Sequence, residues 1–567
     1  MEKFSRIKYE RPDLAIVKQG MEKNAERMEN AASYEEFRKA YLDNQELTRD
    51  SETMASVAYV RNTMDTKDEY YEKEREYFDE ESAKLTPVEK RLKHAAVHSP
   101  FRASFDKEFG EIALKEAEID ERLLDEKNIP LMIEEQKLCA EYQKITAGCH
   151  VELDGEDCNF YGLLKAMEST DRAKRKRAFE AFAGLYEGIS EKLDGIYDKL
   201  VSLRVQQSKN LGFDSYIDYI YPARGRYDYG AKEAAEFREK IAKYVTPAVD
   251  RMLKRQAKRL GVDKLRYYDE MMYYPLGNPQ PDGTMEEMVG WAKEMYAELS
   301  PETKEFFDFM TEYELFDLKT RPGKSMGGYC TSFPAMKAPF IFSNFNGTSA
   351  DVDVLTHEAG HAFQAYLSFR RQVLDSYVAS TAEIDEIHSM TMEHFTYPWM
   401  DKFFGKRADE YRQQHLASSL ATIPYLVSVD EFQHRVFEKL DMTAKERRAA
   451  WKTIEKKYMP WRDYDGNAFM EEGGFWMQKL HIFLYPFYYI DYALAQTCAH
   501  QLYLKMRDNR AEAWEDYLNL CKAGGSLGYF DLLKVARLDN PFTSGAVQEN
   551  VEKLEKILED GEKKLNL

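Results

Sequence analysis

The chain has 567 residues, of which 32% are charged, and its formal net charge at pH 7 is −20. We do not expect so acidic a chain to bind nucleic acid or anionic membrane surfaces. Its six cysteines show no Cys-x-x-Cys spacing, no apolar run approaches the ~18 residues of a membrane helix, and residues 1–6 lack the apolar stretch of a signal peptide. We therefore expect reduced thiols and a cytoplasmic location.

Long stretches without proline dominate the first half of the chain. Residues 13–86 and 131–221 contain none, and both stretches carry apolar residues at helical spacing. Residues 171–211 predict one long helix or two, ended by Gly212. No linker rich in Ser, Gly or Pro interrupts the chain, so we predict a continuous, mainly α fold.

Residues 321–345 depart from the helical pattern. Gly327-Gly328, followed by alternating residues, predicts an edge strand or its bend, and the apolar run at 340–342 predicts a second strand. An exposed sheet edge can hold an extended peptide through backbone hydrogen bonds. An ordinary hairpin turn explains the same residues equally well.

The segment His357-Glu358-Ala359-Gly360-His361 matches the His-Glu-x-x-His pattern of zinc hydrolases. The two histidines lie about 40° apart around a helix, so both imidazoles can reach one metal ion. Glu358 can contact the metal-bound water without ligating the metal. Chance alone would give this pattern in one random chain in ~30. However, the motif follows a strand-like run and a turn-rich loop, and Gly360 inside a helix indicates close approach of another backbone or a ligand.

A catalytic zinc ion usually has three protein ligands and one open position. Metzincin peptidases would have glycine and histidine where this chain has Gln364 and Leu367, so that class is excluded. A downstream acid is the common alternative. Glu386 and Glu393 are seven residues apart and share a helix face, so one can ligate the metal while the other supports an imidazole. Spacing alone does not exclude Glu383.

An aromatic tract near the C-terminus forms a second candidate feature. On a helix its tyrosines stand at i, i+3, i+4 and i+7, with a histidine one turn earlier and a local break at Pro486. Aromatic residues at this spacing usually belong to a core, but buried phenol hydroxyls need partners and can instead face a ligand. The residues are His481, Tyr485, Tyr488, Tyr489 and Tyr492.

These motifs together resemble the oligoendopeptidase F branch of the thimet oligopeptidase family of zinc metallopeptidases. The resemblance rests on residues 357–361, on Glu386-Ile387-His388-Ser389-Met390-Thr391-Met392-Glu393, on residues 344–348 and on the aromatic tract. It implies a large two-lobed helical body enclosing a deep substrate channel, with a small β-sheet beside the zinc helix. Residues 1–200 would form one wall of the channel, and residues 201–567 the catalytic region.

The resemblance also implies roles for the candidate residues. One Zn²⁺ per chain would be held by His357, His361 and Glu386. Attack of a zinc-bound water, with Glu358 as general base, would hydrolyse internal bonds of short unfolded peptides. Glu393 would support a ligating histidine. His481 and Tyr489, the latter in preference to Tyr488, would stabilise the intermediate. The residues that would bind substrate are Tyr485, Tyr488, Tyr492, Gly328 and Tyr329.

Two other functions fit the same motifs. One is an enzyme of the same wider family that removes dipeptides from carboxyl termini. The other is a helical peptide-binding scaffold whose zinc is structural, although three protein ligands beside a glutamate favour catalysis.

Overall fold

The computed structural model describes residues 1–123, 125–543 and 545–567, and most of them are helical. The mainly α prediction is therefore confirmed. Side chains cap several helices, such as Asp171, whose carboxylate accepts a hydrogen bond from the backbone N–H of Ala173. The helices before residue 260 are α1 Leu14–Glu29, α2 Tyr34–Met64, α3 Glu69–Ser82, α4 Thr86–Val97, α5 Arg102–Phe109, α6 Ile112–Leu123, α7 Ile129–Ala147, α8 Phe160–Ala166, α9 Arg172–Asn210, α10 Tyr216–Ala223, α11 Ala231–Lys240 and α12 Thr246–Arg259.

The long helix predicted over residues 171–211 is α9, a single helix of 39 residues. It is followed by Gly212 at φ +78°, a left-handed conformation that glycine adopts without steric cost. The helices after residue 280 are α13 Met285–Leu299, α14 Pro301–Glu312, α15 Ser349–Arg371, α16 Ala382–Phe395, α17 Met400–Phe404, α18 Ala408–Glu438, α19 Ala444–Tyr458, α20 Ala468–Glu471, α21 Leu480–Leu484, α22 Tyr489–Asp508, α23 Arg510–Ala523, α24 Tyr529–Val535 and α25 Ala546–Lys564.

Two small sheets accompany the helices in the described residues. A hairpin pairs β1 (Val151–Leu153) with β2 (Glu156–Cys158). The second sheet contains β3 (Phe316–Lys319), β4 (Tyr329–Phe333) and β5 (Ala338–Phe345) in the order β3-β5-β4. Strand β5 is parallel to β3 and antiparallel to β4, and helix α15 packs against it. This confirms the small sheet predicted beside the motif-bearing helix, with β4 as an edge strand.

The chain folds into two compact units, each discontinuous in sequence. The first contains Met1–Leu124, Gln280–Ala408 and Gln501–Leu538, and the second contains Asp125–Pro279, Asp409–His500 and Asp539–Leu567. The predicted division at residue 200 falls inside helix α9, whereas these units divide the chain at other positions.

Each unit has its own aromatic core. In the first unit, Phe37 and Phe105 are fully buried with ring centroids 6.0 Å apart. In the second unit, the rings of Trp476 and Phe483 stack at 5.5 Å. Truncating a buried aromatic ring of this size typically costs ~3–5 kcal/mol, so these clusters contribute strongly to each unit's stability. None of the helices described combines the length and apolarity needed to cross a lipid bilayer.

Candidate active site

The candidate metal centre forms where helix α15 crosses helix α16 in the first unit. Gly360 lies at this crossing, because a Cβ atom built there would stand 2.6 Å from Ser389 Cα and 2.8 Å from the His388 carbonyl oxygen. Only glycine allows two backbones to approach so closely. The predicted close approach of another backbone is therefore confirmed, and α16 provides it.

The crossing brings together the two motif histidines and one of the candidate acids. Glu386 Oε2 lies 3.3 Å from His357 Nε2 and 3.6 Å from His361 Nε2. One ligand atom from each residue lies within 4.8 Å of the others. Tetrahedral bonds of 2.0–2.1 Å would place neighbouring ligand atoms about 3.4 Å apart, so these three atoms suit one zinc ion. Glu383, the alternative acid, does not belong to this group.

Glu393 supports the first histidine from two helical turns further along α16. Its Oε1 lies 2.5 Å from His357 Nδ1, so the other ring nitrogen, Nε2, points toward Glu386. Ser389, between the two acids, donates a hydrogen bond to Glu386 Oε2 at 3.1 Å. A carboxylate behind a ligating imidazole fixes its tautomer and orientation. The structure thus places Glu393 against His357, and its support of a metal ligand stays a prediction.

The electrostatics of the cluster favour a positive charge between these residues. Burial lowers the pKa of both imidazoles, but hydrogen bonds to Glu386, and for His357 also to Glu393, outweigh this effect. The pKa of His361 is therefore raised, and the pKa of His357 lies well above its ordinary value. Burial raises the pKa of Glu386, yet its hydrogen bonds with the two histidines hold that pKa far below the usual range. A buried carboxylate that remains ionised between two imidazoles suits a cation.

Glu358 lies beside the edge strand of the sheet. A Cβ atom built at Gly328 would stand 3.8 Å from Glu358 Oε1, so the backbone at this glycine faces the candidate general base. Burial raises the pKa of Glu358, and the neighbouring histidines oppose this effect. The Tyr329 side chain points elsewhere, because its hydroxyl lies 2.6 Å from Thr63 Oγ1 on α2. The structure thus brings Gly328, but not the Tyr329 hydroxyl, to Glu358.

The aromatic tract gathers around His481 in the second unit. The Tyr489 ring centroid is 4.7 Å from that of His481, and Tyr489 is buried to 8% exposure. Tyr485 is 51% exposed. The other centroid distances from His481 are 5.9 Å to Tyr485, 5.9 Å to Tyr488 and 6.2 Å to Tyr492. The five predicted residues therefore form one cluster.

The spacing predicted that these residues stand on one helix, but the structure places them on two helices and the connection between them. Helix α21 ends at Leu484 and α22 begins at Tyr489, with Phe487 at φ +62° between them. Tyr485 and Tyr488 therefore lie in the connection rather than on a helical stripe. Proline at 486 has no N–H to donate, which explains a break that spans several residues instead of a local kink.

Two arginines that the sequence did not single out hold this connection. Arg224 donates to the Pro486 carbonyl oxygen at 3.0 Å and 2.9 Å. Arg226 donates to the Phe487 carbonyl oxygen and, at 2.6 Å, to Asp491 Oδ1. Backbone carbonyl groups released from helical pairing require such partners when buried. In the sequence, these arginines stand out only as two charged residues in a largely apolar segment. That pattern does not reveal which carbonyl groups they bind.

A helical fold that presents this histidine and glutamate cluster beside a sheet edge defines a metallopeptidase. The pattern described as "Peptidase M3 N-terminal domain" matches residues 4–124, and the pattern described as "Peptidase family M3" matches residues 165–552. The chain belongs to peptidase family M3. The predicted resemblance to oligoendopeptidase F is confirmed by relatives and solved structures that carry that name.

Three relatives illustrate the similarity. The structure of PZ peptidase A with an inhibitor is 44% identical, with a TM-score of 0.93 over 98% of this chain and 99% of that one. A putative oligoendopeptidase F from Bacillus anthracis is 41% identical, with a TM-score of 0.89 over 99% of this chain and 98% of that one. Group B oligopeptidase PepB from Streptococcus agalactiae is 25% identical over 64% of this chain. The match spans 59% of the length of PepB.

Proposed function

We propose that this protein is a zinc-dependent endopeptidase that hydrolyses internal peptide bonds of short unfolded oligopeptides. The observation that carries the proposal is the cluster of His357, His361 and Glu386, whose ligand atoms lie within 4.8 Å of one another. Relatives named oligopeptidase and oligoendopeptidase support the same substrate class.

The donor set fits one Zn²⁺ per chain. Two imidazole nitrogens and one carboxylate oxygen are common ligands of catalytic zinc, and a fourth position stays open for water. We assign these roles to His357, His361 and Glu386, with Glu393 fixing the His357 ring through Nδ1. When bound, the zinc ion supplies a Lewis acid that activates water and polarises the peptide carbonyl.

Glu358 is proposed to accept a proton from the attacking water and to pass it to the leaving amine. Burial favours the protonated form of this carboxyl, which makes it a better proton acceptor than an exposed glutamate. Its neighbour Gly328 has no side chain of its own to fill the space beside Glu358. We propose that Gly328 and Tyr329 bind extended substrate through backbone groups.

His481 and Tyr489 are proposed to stabilise the oxyanion of the tetrahedral intermediate. Preorganised O–H and N–H donors serve this purpose because they need not reorient as charge develops. The close contact of the two rings supports a joint role. We propose that Tyr485, Tyr488 and Tyr492, which surround His481, bind substrate.

A cytoplasmic location is proposed from the cysteine chemistry. All six cysteines are free thiols in the structure, and five of them are buried. Unpaired thiols are typical of proteins from reducing compartments. The proposed partners are short peptides alone.

The Glu358→Gln substitution tests the proposal most directly. The variant keeps the three ligands, so we expect one zinc ion per chain and hydrolysis reduced by at least ~100-fold, the usual contribution of a general base. Glu305→Gln is a matched control, because Glu305 accepts a hydrogen bond from Tyr366 on the motif-bearing helix and is not among the metal-binding residues. Activity of zinc-loaded Glu358→Gln near the wild-type level would contradict the assignment.

Digestion of a mixed peptide library, followed by mass spectrometry, tests the mode of cleavage. We expect internal cuts that disappear with EDTA and return when zinc is added. Release of carboxy-terminal dipeptides alone would identify the rival exopeptidase activity. Tight peptide binding without any cleavage would indicate a scaffold with structural zinc.

A further inference from the structure

A second group of metal-ligating side chains lies on the N-terminal helices of the first unit. His94 and His98 lie in and just after the last turn of α4, and Glu121 lies near the end of α6. Their side chains are 59%, 57% and 20% exposed, so the group is open to solvent. One ligand atom from each lies within 4.8 Å of the others, as in the candidate active site.

The geometry of this group suits a single ion. Glu121 Oε1 lies 2.7 Å from His94 Nδ1, and Oε2 lies 3.3 Å from His98 Nε2. The two imidazole rings are four residues apart along the chain, with centroids separated by 4.3 Å. Ligand atoms around tetrahedral zinc stand about 3.4 Å apart, so only small rotations of exposed side chains are needed to admit an ion.

The surroundings of this group favour a cation and leave the Glu121 carboxylate available to bind one. Two basic side chains of helix α4 pair with other carboxylates, Arg91 with Glu29 and Lys93 with Asp120. Neither competes for Glu121 in these ion pairs. The group also lies at the C-terminal end of α4, where the helix dipole places negative potential.

We propose that His94, His98 and Glu121 form a second metal site that takes a divalent transition-metal ion. Imidazole donors select Zn²⁺, Co²⁺, Ni²⁺ or Cu²⁺ over Mg²⁺ and Ca²⁺, which prefer oxygen ligands. Water fills the remaining position because the site is exposed. The bound ion ties α4 to α6 and raises the zinc capacity of the chain from one ion to two.

Zinc binding to the His357→Ala variant tests the second site without the first. Equilibrium dialysis against Zn²⁺ alone should show one ion per chain in this variant and none after His98→Ala is added. His150→Ala is the matched control, since His150 is an exposed histidine that faces a single carboxylate, Asp157, at 3.3 Å. Equal zinc binding with and without His98→Ala would overturn the proposal.

A second substitution and a second readout guard against unfolding of the variants. Glu121→Gln removes only the anionic ligand and should weaken zinc binding by about tenfold or more. Zinc should raise the melting temperature of His357→Ala but not of His357→Ala/His98→Ala, because an ion that binds only the folded state stabilises it. A zinc-induced shift of equal size in both variants would also overturn the proposal. None of these measurements depends on peptidase activity.

Discussion

Replacing Gly360 with alanine should perturb the candidate metal centre without altering a proposed ligand. The new Cβ atom would stand 2.6 Å from Ser389 Cα, whereas ordinary contact begins at 3.4 Å, so the two helices must separate by about 0.8 Å. The obstacle is backbone, which cannot rotate away as a side chain can. Overpacking of this kind costs ~1–3 kcal/mol, and the better helix propensity of alanine returns ~0.5–1 kcal/mol.

Separating the two helices should displace the proposed metal ligands. Ser389 lies between Glu386 and Glu393 on α16, and Gly360 lies between the two motif histidines on α15. Moving α16 outward therefore lengthens the Glu386 contacts with both imidazoles. We expect Gly360→Ala to lower kcat/KM by about 100-fold, since a misplacement near 1 Å is worth that much. Zinc affinity should fall by about tenfold or more as the ligand set opens.

The measurements are zinc competition with a chromophoric chelator, kcat/KM at saturating zinc, and thermal unfolding. Gly290→Ala provides the control, because Gly290 lies within α13 and a Cβ atom there would meet nothing within 4 Å. That variant should be more stable by ~0.5–1 kcal/mol with unchanged zinc affinity. Wild-type zinc affinity and activity in Gly360→Ala would show that the helix crossing does not position the ligands.

Further substitutions probe other parts of the site. Glu393→Gln should weaken zinc binding by about 10–100-fold because the support of His357 Nδ1 is lost, as chelator competition would show. Tyr489→Phe should lower kcat by about 100-fold or more with unchanged zinc content, whereas Tyr485→Phe, at a 51% exposed position, should affect mainly KM. Asp351→Ala removes the acceptor of the Asn346 and Gly347 N–H groups and should lower the free energy of unfolding by about 1–3 kcal/mol. Urea unfolding of the zinc-loaded protein measures this loss, and an unchanged midpoint would contradict the prediction.

Local patterns predicted the motif-bearing helix and the close packing around it well. The spacing of His357 and His361 fixes both imidazoles on one helix face, and Gly360 signalled that another backbone would come close. The identity of that backbone depends on how two separate helices pack, and periodicity within one helix carries no such information. The same limit left Glu383 open beside Glu386, because both fit one helix face, whereas in the described structure Glu386 is the acid that joins the two histidines in one possible ligand group.

Prediction was weaker where the chain leaves regular structure. Helical spacing placed four tyrosines on one stripe, but the break after Leu484 depends on Arg224 and Arg226, which lie about 260 residues earlier in the chain. Their side chains donate to buried carbonyl groups that have left helical pairing, and so make the break possible. The pairing of α4 with α6 that joins His98 to Glu121 was hidden because it, too, depends on packing between separate helices.

The interleaved order of the two units has a consequence for how this protein emerges from the ribosome. Helix α15 packs against α23, and Tyr517 on α23 donates a hydrogen bond to the His388 carbonyl oxygen where α15 crosses α16. The first unit is complete only once residue 538 has been made, and the second only at residue 567. A nascent chain therefore lacks the finished support of the α15–α16 crossing until the ribosome has made α23, well after α16 itself.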